Sequence, residues 1–365
     1  MHIGLLIYGE METLSGGYLY NRQLVSYLRS QGEQVTIISL PYRNYWRHLT
    51  DNFNRACLRQ LTDAKVDILI QDAMVHPSLF LLNYRLRQRS NVPLISLVHL
   101  LTTYDHHSRW SGWFYRAIEQ WYLQTVPGLI LNSQTTLRQV TELLAKPIAP
   151  YCLAVPAGDN FKDVKLDIDF IRQRTQMAGP LKIVVVGNVI RRKGLHVLIN
   201  ALRLLPPEDY QVTIAGRLDM EPAYVQQLES MIQRLQLQTS IIFKGPIQGQ
   251  NLAALYQANQ LMVLPSAYES YGIVYVEAQQ FGVPVIGTTE GAAKEIIRDG
   301  ENGYLIHPED HQALATVLRT VHENRQLLLQ LSLNACIAYE QHPKWQDSCE
   351  IIRQFCHQLQ IFSKK

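Results

Sequence analysis

Along the first half of the chain, short apolar runs alternate with segments whose apolar residues recur at helical spacing. The runs are "HIGLLIY", "EQVTIISL", "VDILIQD", "VPLISLVH" and "GLILNS", and Tyr18 to Ser30 is one of the segments between them. Short runs rich in Val, Ile and Leu without polar alternation read as strands buried on both faces, and helices between them make parallel β-α-β units. After "YCLAVPAGDNF" the pattern loosens through Asp163 to Pro180, a charged, apolar-poor stretch. It restarts with "LKIVVVGN", "YQVTIAG", "TSIIFKG", "NQLMVLPS" and "VPVIGT", each followed by a helical segment such as Gly194 to Leu205 or Asn251 to Gln257. The expected fold class is α/β: two Rossmann-like, doubly wound domains, residues 1–165 and 166–344, with a linker near 160–180 and a cleft between them. A last helix, roughly Trp345 to Phe362, follows Pro343 with no strand after it, and the pattern alone does not say where it packs.

Length supports this division, because 365 residues exceed the size at which one core grows comfortably. With 47% hydrophobic and 18% charged residues the chain can fill two cores and is not expected to be disordered on a large scale. A formal net charge of +3 is too small to argue for a nucleic-acid partner. The five cysteines are odd in number and include no Cys-x-x-Cys pair, so neither a disulfide framework nor a zinc ribbon is implied and a reducing cytosol fits. The N-terminus "MHIGLLIYGEMETL" lacks a basic leader and is closed by Glu10 and Glu12, so it reads as a first strand and not a signal peptide. No window reaches the roughly 18 to 20 apolar residues of a membrane span, so any membrane contact would be peripheral.

In open parallel sheets ligands sit beyond the carboxyl ends of the strands, and four such segments stand out. In "SGG", Gly16 and Gly17 open a helix and let backbone N–H groups approach an anion; an ordinary tight turn reads the same way. In "GNVIRRKG" (187–194), Arg191, Arg192 and Lys193 are bracketed by glycines at a strand-to-helix turn, where cations can neutralise a departing diphosphate; the alternative is a solvated basic loop. In "ESYGIVYVE", Ile273 to Phe281 fits a short helix entered through Gly272. Glu269 and Glu277, eight positions apart, would lie roughly 12 Å from each other on a continuous helix. That exceeds the roughly 5 to 9.5 Å of a paired glycosidase acid and base, so two separate contacts are favoured over one catalytic pair. Backbone amides of Tyr271, Gly272, Ile273 and Val274 at the helix start suit a phosphate or sugar oxygen, and the flanking carboxylates suit hydroxyl donors. A surface loop with a solvated glutamate remains open. Lastly, His99 ends the strand of "SLVHLLTTYDHH", where a packed histidine is the commoner reading. His106 and His107 lack a third ligand at metal spacing.

Two stretches interleave arginine with aromatic residues. In "RWSGWFYRAIEQWYLQ" (Arg109 to Gln124), Trp110, Trp113, Phe114, Ala117, Ile118, Trp121 and Tyr122 recur at helical spacing, which predicts a face packed on the sheet. "YRNYWRHLTDNFNRACLRQ" (Tyr42 to Gln60) also fits an exposed acceptor-binding or membrane-interface helix.

Taken together, Gly-Gly after the first strand, Arg-Lys-Gly after the first strand of the second half, and Glu-x7-Glu followed by "GVPVI" resemble the retaining glycosyltransferases of family 4, which have the GT-B fold. The resemblance spans nearly the whole chain and is strongest from Leu181 to Pro308, where "EGAAKEIIRDGENGYLIHPED" also matches. It implies that the second domain holds a nucleotide-diphosphate-sugar donor and the first presents a hydroxyl acceptor, lipid, polysaccharide or small molecule. Glu269 would contact sugar hydroxyls, the Tyr271 to Val274 backbone the sugar and phosphate, and Glu277 the ribose. Lys193 would neutralise the diphosphate, with Gly17 opposite it and His99 near the reacting sugar. The terminal helix, 345–365, would cross back to the first domain. One departure stands out: Asn188 occupies a position where the family commonly has arginine, and Arg192 is the candidate substitute.

The expectation is therefore a metal-independent, cofactor-free retaining transferase, cytoplasmic, with a peripheral contact at the inner membrane face through Tyr42 to Gln60 as its further expectation. Rivals are a nucleotide-sugar-binding protein with weak or no transfer, suggested by Asn188, and a sugar-nucleotide epimerase of the same fold. A Rossmann oxidoreductase is disfavoured, since no Gly-x-Gly-x-x-Gly follows either first strand.

Overall fold

A computed structural model describes residues 1–105, 112–145, 147–161 and 167–363. The chain folds into two compact units, Met1–Pro156 with Pro343–Lys365, and Ala157–His342. Each unit holds one six-stranded sheet among the described residues, and every strand pair is parallel.

The first sheet comprises β1 (His2–Tyr8), β2 (Gln34–Leu40), β3 (Ile68–Asp72), β4 (Leu94–Val98), β5 (Gly128–Leu131) and β6 (Tyr151–Leu153), in the order β2-β1-β3-β4-β5-β6. Strands β3, β4 and β5 are buried along their whole length, as a sheet with helices on both faces requires. The helix Gly16–Ser30 starts where expected: Ser15 is its N-cap, its side chain accepting from the Tyr18 N–H, and Leu24, Val25 and Leu28 form the buried stripe.

The final helix, Trp345–Ser363, lies against Gly16–Ser30 and β6. Tyr27 donates to Glu350, Arg353 pairs with Glu33, and the Ser348 hydroxyl donates to the Val155 carbonyl.

The second sheet comprises β7 (Leu181–Val186), β8 (Tyr210–Ala215), β9 (Ile241–Gly245), β10 (Leu261–Val263), β11 (Val285–Thr288) and β12 (Gly303–Ile306), in the order β12-β11-β10-β7-β8-β9. Because β7 sits between β8 and β10, chain direction around the sheet reverses there. The loop after β7 and the loop after β10 therefore emerge side by side, although 76 positions separate Lys193 from Glu269.

Two sequence expectations are corrected. The stretch 160–180, read as a linker, carries the helix Ile168–Gln176 within the second unit. Asp167 caps it, and the buried Arg174 donates to the Phe281 and Gly282 carbonyls. A guanidinium used to close the end of another helix disguised a packed helix as a charged connector.

The helix Gly112–Thr125 does bury Ile118, Tyr122 and Leu123, but Trp113 is 70% and Trp121 53% exposed, so its aromatic run is not one core face. Arg109 and Trp110 of that stretch, like His106 and His107, lie outside the described residues.

Candidate functional site

In the second unit the site is built where the post-β7 and post-β10 loops meet. Gly194, at φ 69°, ends the short turn Arg191–Lys193, and a Cβ there would lie 1.9 Å from the Pro265 carbonyl oxygen. Only glycine lets the loops approach this closely. The Arg192 carbonyl accepts from the Ala267 N–H at 2.8 Å, and the Arg192 guanidinium donates to the Tyr268 carbonyl at 2.9 Å.

This contact brings the Lys193 ammonium 2.5 Å from Glu269 Oε2, with Ser266 Oγ 3.4 Å from the same oxygen. Burial works to raise the Glu269 carboxyl, but the charges of Lys193 and Arg192 and the bonds from Lys193 and Ser266 hold it below the ordinary carboxylate value. Glu269 is also fixed through its backbone, its carbonyl accepting from the Ala292 N–H in a bridge to the 291–292 loop. Asn188, on the same loop as Lys193, is half-buried; Arg191 is exposed.

Beyond Glu269 the chain enters the helix Ile273–Gln280 through Gly272. The first intrahelical bond runs from the Tyr275 N–H to the Gly272 carbonyl, so the amides of Gly272, Ile273 and Val274 belong to the first turn, whose N–H groups have no acceptor within the helix. The site therefore offers a run of donors with Lys193 and Arg192 nearby, an arrangement suited to an anion.

Glu277 projects from the same helix and is 5% exposed. Oε1 accepts from Asn160 Nδ2 at 2.7 Å and Oε2 from the Tyr256 hydroxyl at 3.0 Å. Burial raises its carboxyl above the ordinary value, and the two donors oppose that rise.

In the first unit, His99 stands just past β4, 8% exposed, and a Cβ at Gly17 would lie 3.3 Å from its Cδ2. Asn21 Nδ2 donates to Asp72 Oδ2 at 2.8 Å, which leaves Asn21 Oδ1 to accept from His99 Nε2 at 3.2 Å. That chain assigns the proton to Nε2. Burial lowers the His99 value, with Asp72 opposing, so the ring is neutral near pH 7. The Asn132 side chain donates to the His99 carbonyl at 2.8 Å.

The structure thus brings Lys193 and Arg192 to the segment of Tyr268 and Glu269, just before the helix start at Gly272, and places Glu277 on that helix. Gly17 and His99 come together in the first unit. Sequence reasoning missed Asn160, Tyr256 and Ser266 around the glutamates, and Asn21 and Asp72 around the histidine. "GDN" shortly after β6 was a visible polar signal for Asn160, but its partner lies 117 positions away. Among the described residues no group of three or more His, Cys, Asp or Glu side chains is placed to hold a metal ion.

Residues 167–336 match the family model described as Glycosyl transferases group 1. An uncharacterized glycosyltransferase of Methanocaldococcus jannaschii is 33% identical over 134 residues, 36% of this chain and 33% of that protein, so the match spans about a third of its length. Among solved structures, the sucrose-phosphate synthase of Thermosynechococcus elongatus aligns over all of both chains with a TM-score of 0.82 at 21% identity. HepE of Anabaena, in complex with UDP-glucose, aligns over 98% of this chain and 99% of its own with a TM-score of 0.76, also at 21% identity. At these identities the likeness establishes the fold, that of the GT-B glycosyltransferases.

Proposed function

From a segment that matches the group 1 glycosyl transferases, on a GT-B fold, we propose that the chain is a retaining glycosyltransferase. It moves a sugar from a nucleotide-diphosphate-sugar to a hydroxyl acceptor without a metal ion. The observation that carries the reading is the pairing of Lys193 with Glu269 beside the helix start at Gly272, which joins cations, backbone donors and a carboxylate in one unit.

Lys193, Arg192 and the amides of 271–274 receive the diphosphate, Glu269 takes sugar hydroxyls as their acceptor, and Glu277 takes the ribose hydroxyls. The bond from the anomeric carbon to the phosphate oxygen breaks while the acceptor oxygen bonds to that carbon on the same face. The acceptor proton passes to the departing phosphate. Stabilising that departing charge is the largest catalytic contribution. Arg192, tied to the Tyr268 carbonyl next to Glu269, supports its use where Asn188 replaces the family's arginine.

A panel of nucleotide sugars read by thermal shift tests the donor, since a ligand at a hundred times its Kd adds about 2.7 kcal/mol of stability. Transfer to a panel of lipid and sugar acceptors tests the reaction. Binding without transfer to any acceptor favours the binding-protein reading that Asn188 motivates, and release of free nucleotide without acceptor favours the epimerase.

The acceptor is proposed to be taken by the first unit at a membrane surface. Trp46 and Phe53 are 60% and 73% exposed, Trp46 stacks on Phe114 at 5.3 Å, and Trp113, Arg47, Arg55 and Arg59 are also exposed. Aromatic and basic side chains of this kind suit an anionic lipid interface. Among the described residues no helix is long and apolar enough to cross a membrane. Co-sedimentation with vesicles containing phosphatidylglycerol, lost in Trp46→Ala/Trp113→Ala, tests the contact; equal pelleting of both proteins removes it.

A further inference from the structure

We propose that Tyr256 and Asn160 are positioning residues that clamp Glu277 in an acceptor-only orientation and so set the enzyme's preference for a ribonucleotide over a 2′-deoxyribonucleotide donor. The inference rests on the assignment of Glu277 to the ribose.

A buried carboxylate can turn about its terminal bond, and one that turns presents no fixed pair of acceptors. Here each oxygen is held separately, Oε1 by Asn160 Nδ2 at 2.7 Å and Oε2 by the Tyr256 hydroxyl at 3.0 Å. Both partners are donors in these contacts, so the carboxylate is kept in the form that accepts, and a carboxylate has about four acceptor directions in all. Two are used, and each oxygen retains capacity for one further donor. A pair of neighbouring hydroxyls is the ligand that matches two adjacent acceptors, and a ribose has such a pair.

The clamp is itself held rigidly. Tyr256 is fully buried on the helix Gly249–Ala258, its ring stacked on Phe281 at 5.5 Å, with the Phe161 ring edge-on at 6.0 Å. Asn160 lies between two anchors. At Gly158 a Cβ would sit 2.7 Å from the backbone carbon of Val276, so the 158–160 loop is pressed directly onto the helix carrying Glu277. On the other side, the Phe161 carbonyl accepts from Gln280 of the same helix. Three parts of the second unit thus converge on one side chain, more support than a solvated helix glutamate needs.

The consequence is separable from a general effect on folding. Loss of the clamp should weaken the nucleotide that has both hydroxyls more than its deoxy form, which offers Glu277 only the 3′-hydroxyl, whereas mere loosening of the site weakens both equally.

The test measures, by calorimetry, the affinities of the ribo and 2′-deoxy forms of UDP, GDP and ADP for wild type, Tyr256→Phe and Asn160→Ala. Tyr256→Phe keeps the buried ring, and the partly exposed Asn160→Ala gives a second variant should the first be unstable; unfolding midpoints check both. Wild type is expected to bind the ribo form of its nucleotide about ten- to a hundred-fold more tightly than the deoxy form. Each variant should cut that ratio several-fold, the ribo form losing more affinity than the deoxy form. A wild-type ratio near one, or no binding of any of the three nucleotides, overturns the ribose assignment and the inference with it. A large wild-type ratio that neither variant changes overturns the inference alone.

Discussion

Lys193→Ala tests the pairing at the centre of the site through stability as well as activity. The ammonium and carboxylate are 2.5 Å apart with side chains only 13% and 9% exposed, so the substitution leaves a buried carboxylate without its main counter-charge. Removing one partner of a fully buried pair costs about 3 to 5 kcal/mol. Arg192 and Ser266 still act on Glu269, so about 2 to 3 kcal/mol is expected here.

The loss should depend on pH with a definite sign. In the wild type the Glu269 carboxyl is held below its ordinary value, so its contribution is present above that value and is lost only as pH falls through the folded one. Without Lys193 the largest charge opposing burial is gone, which moves the carboxyl upward from its wild-type position; the variant is then penalised at neutral pH and relieved as acid protonates Glu269. The gap in urea midpoint between wild type and Lys193→Ala should be largest near pH 8 and narrower at pH 5. In a Glu269→Gln background the same substitution should cost less than about 1 kcal/mol, a double-mutant cycle that isolates the pair. A gap that is independent of pH, or of the residue at 269, would show that Lys193 does not stabilise the fold through Glu269.

Other outcomes follow from the same geometry. Lys193→Ala should also lower turnover more than donor affinity, and unchanged single-turnover rates would remove the lysine from charge stabilisation. Glu277→Ala should lose roughly 1.5 to 3 kcal/mol of donor binding, read by calorimetry, as hydrogen bonds to a charged group imply. Gly194→Ala places a Cβ 1.9 Å from the Pro265 carbonyl and should separate the two loops, seen as failed folding or as lost donor protection in a thermal shift, and a wild-type melting curve with donor would contradict the packing. In the first unit, burial lowers His48, His76 and His99, so the unfolded chain binds more protons below about pH 6.5 and stability should fall as pH drops from 7 to 5. His99→Asn should flatten that slope in a pH series of thermal midpoints. Selectively labelled His99 should show an Nε2–H tautomer by NMR that is lost in Asn21→Leu.

The alternation of apolar runs made most strands of both sheets legible, because a doubly wound sheet buries its strands on both faces and leaves few polar residues inside them. The edge strands β6 and β12 are short and only partly buried, so neither leaves a long apolar run. Glycine and cap residues made helix starts legible at Ser15 and Gly272. The helix Ile168–Gln176 was not, since its burial depends on Arg174, a charged residue whose partners are carbonyls more than 80 positions away. The exposed Trp113 and Trp121 were misread for a related reason: helical spacing of aromatics says which residues share a face, and not which neighbour covers it.

At the site, the ingredients are legible along the chain: post-strand cations, a glutamate before a helix start, and a second glutamate within it. These follow from local rules of chain geometry and need no knowledge of distant contacts. The tertiary structure alone decided that Lys193 meets Glu269, and that Glu277 is gripped by Asn160 and Tyr256. The reason is strand order. With β7 inserted between β8 and β10, loops far apart in the chain emerge at one edge, and no period or spacing along the sequence encodes which strand becomes which neighbour.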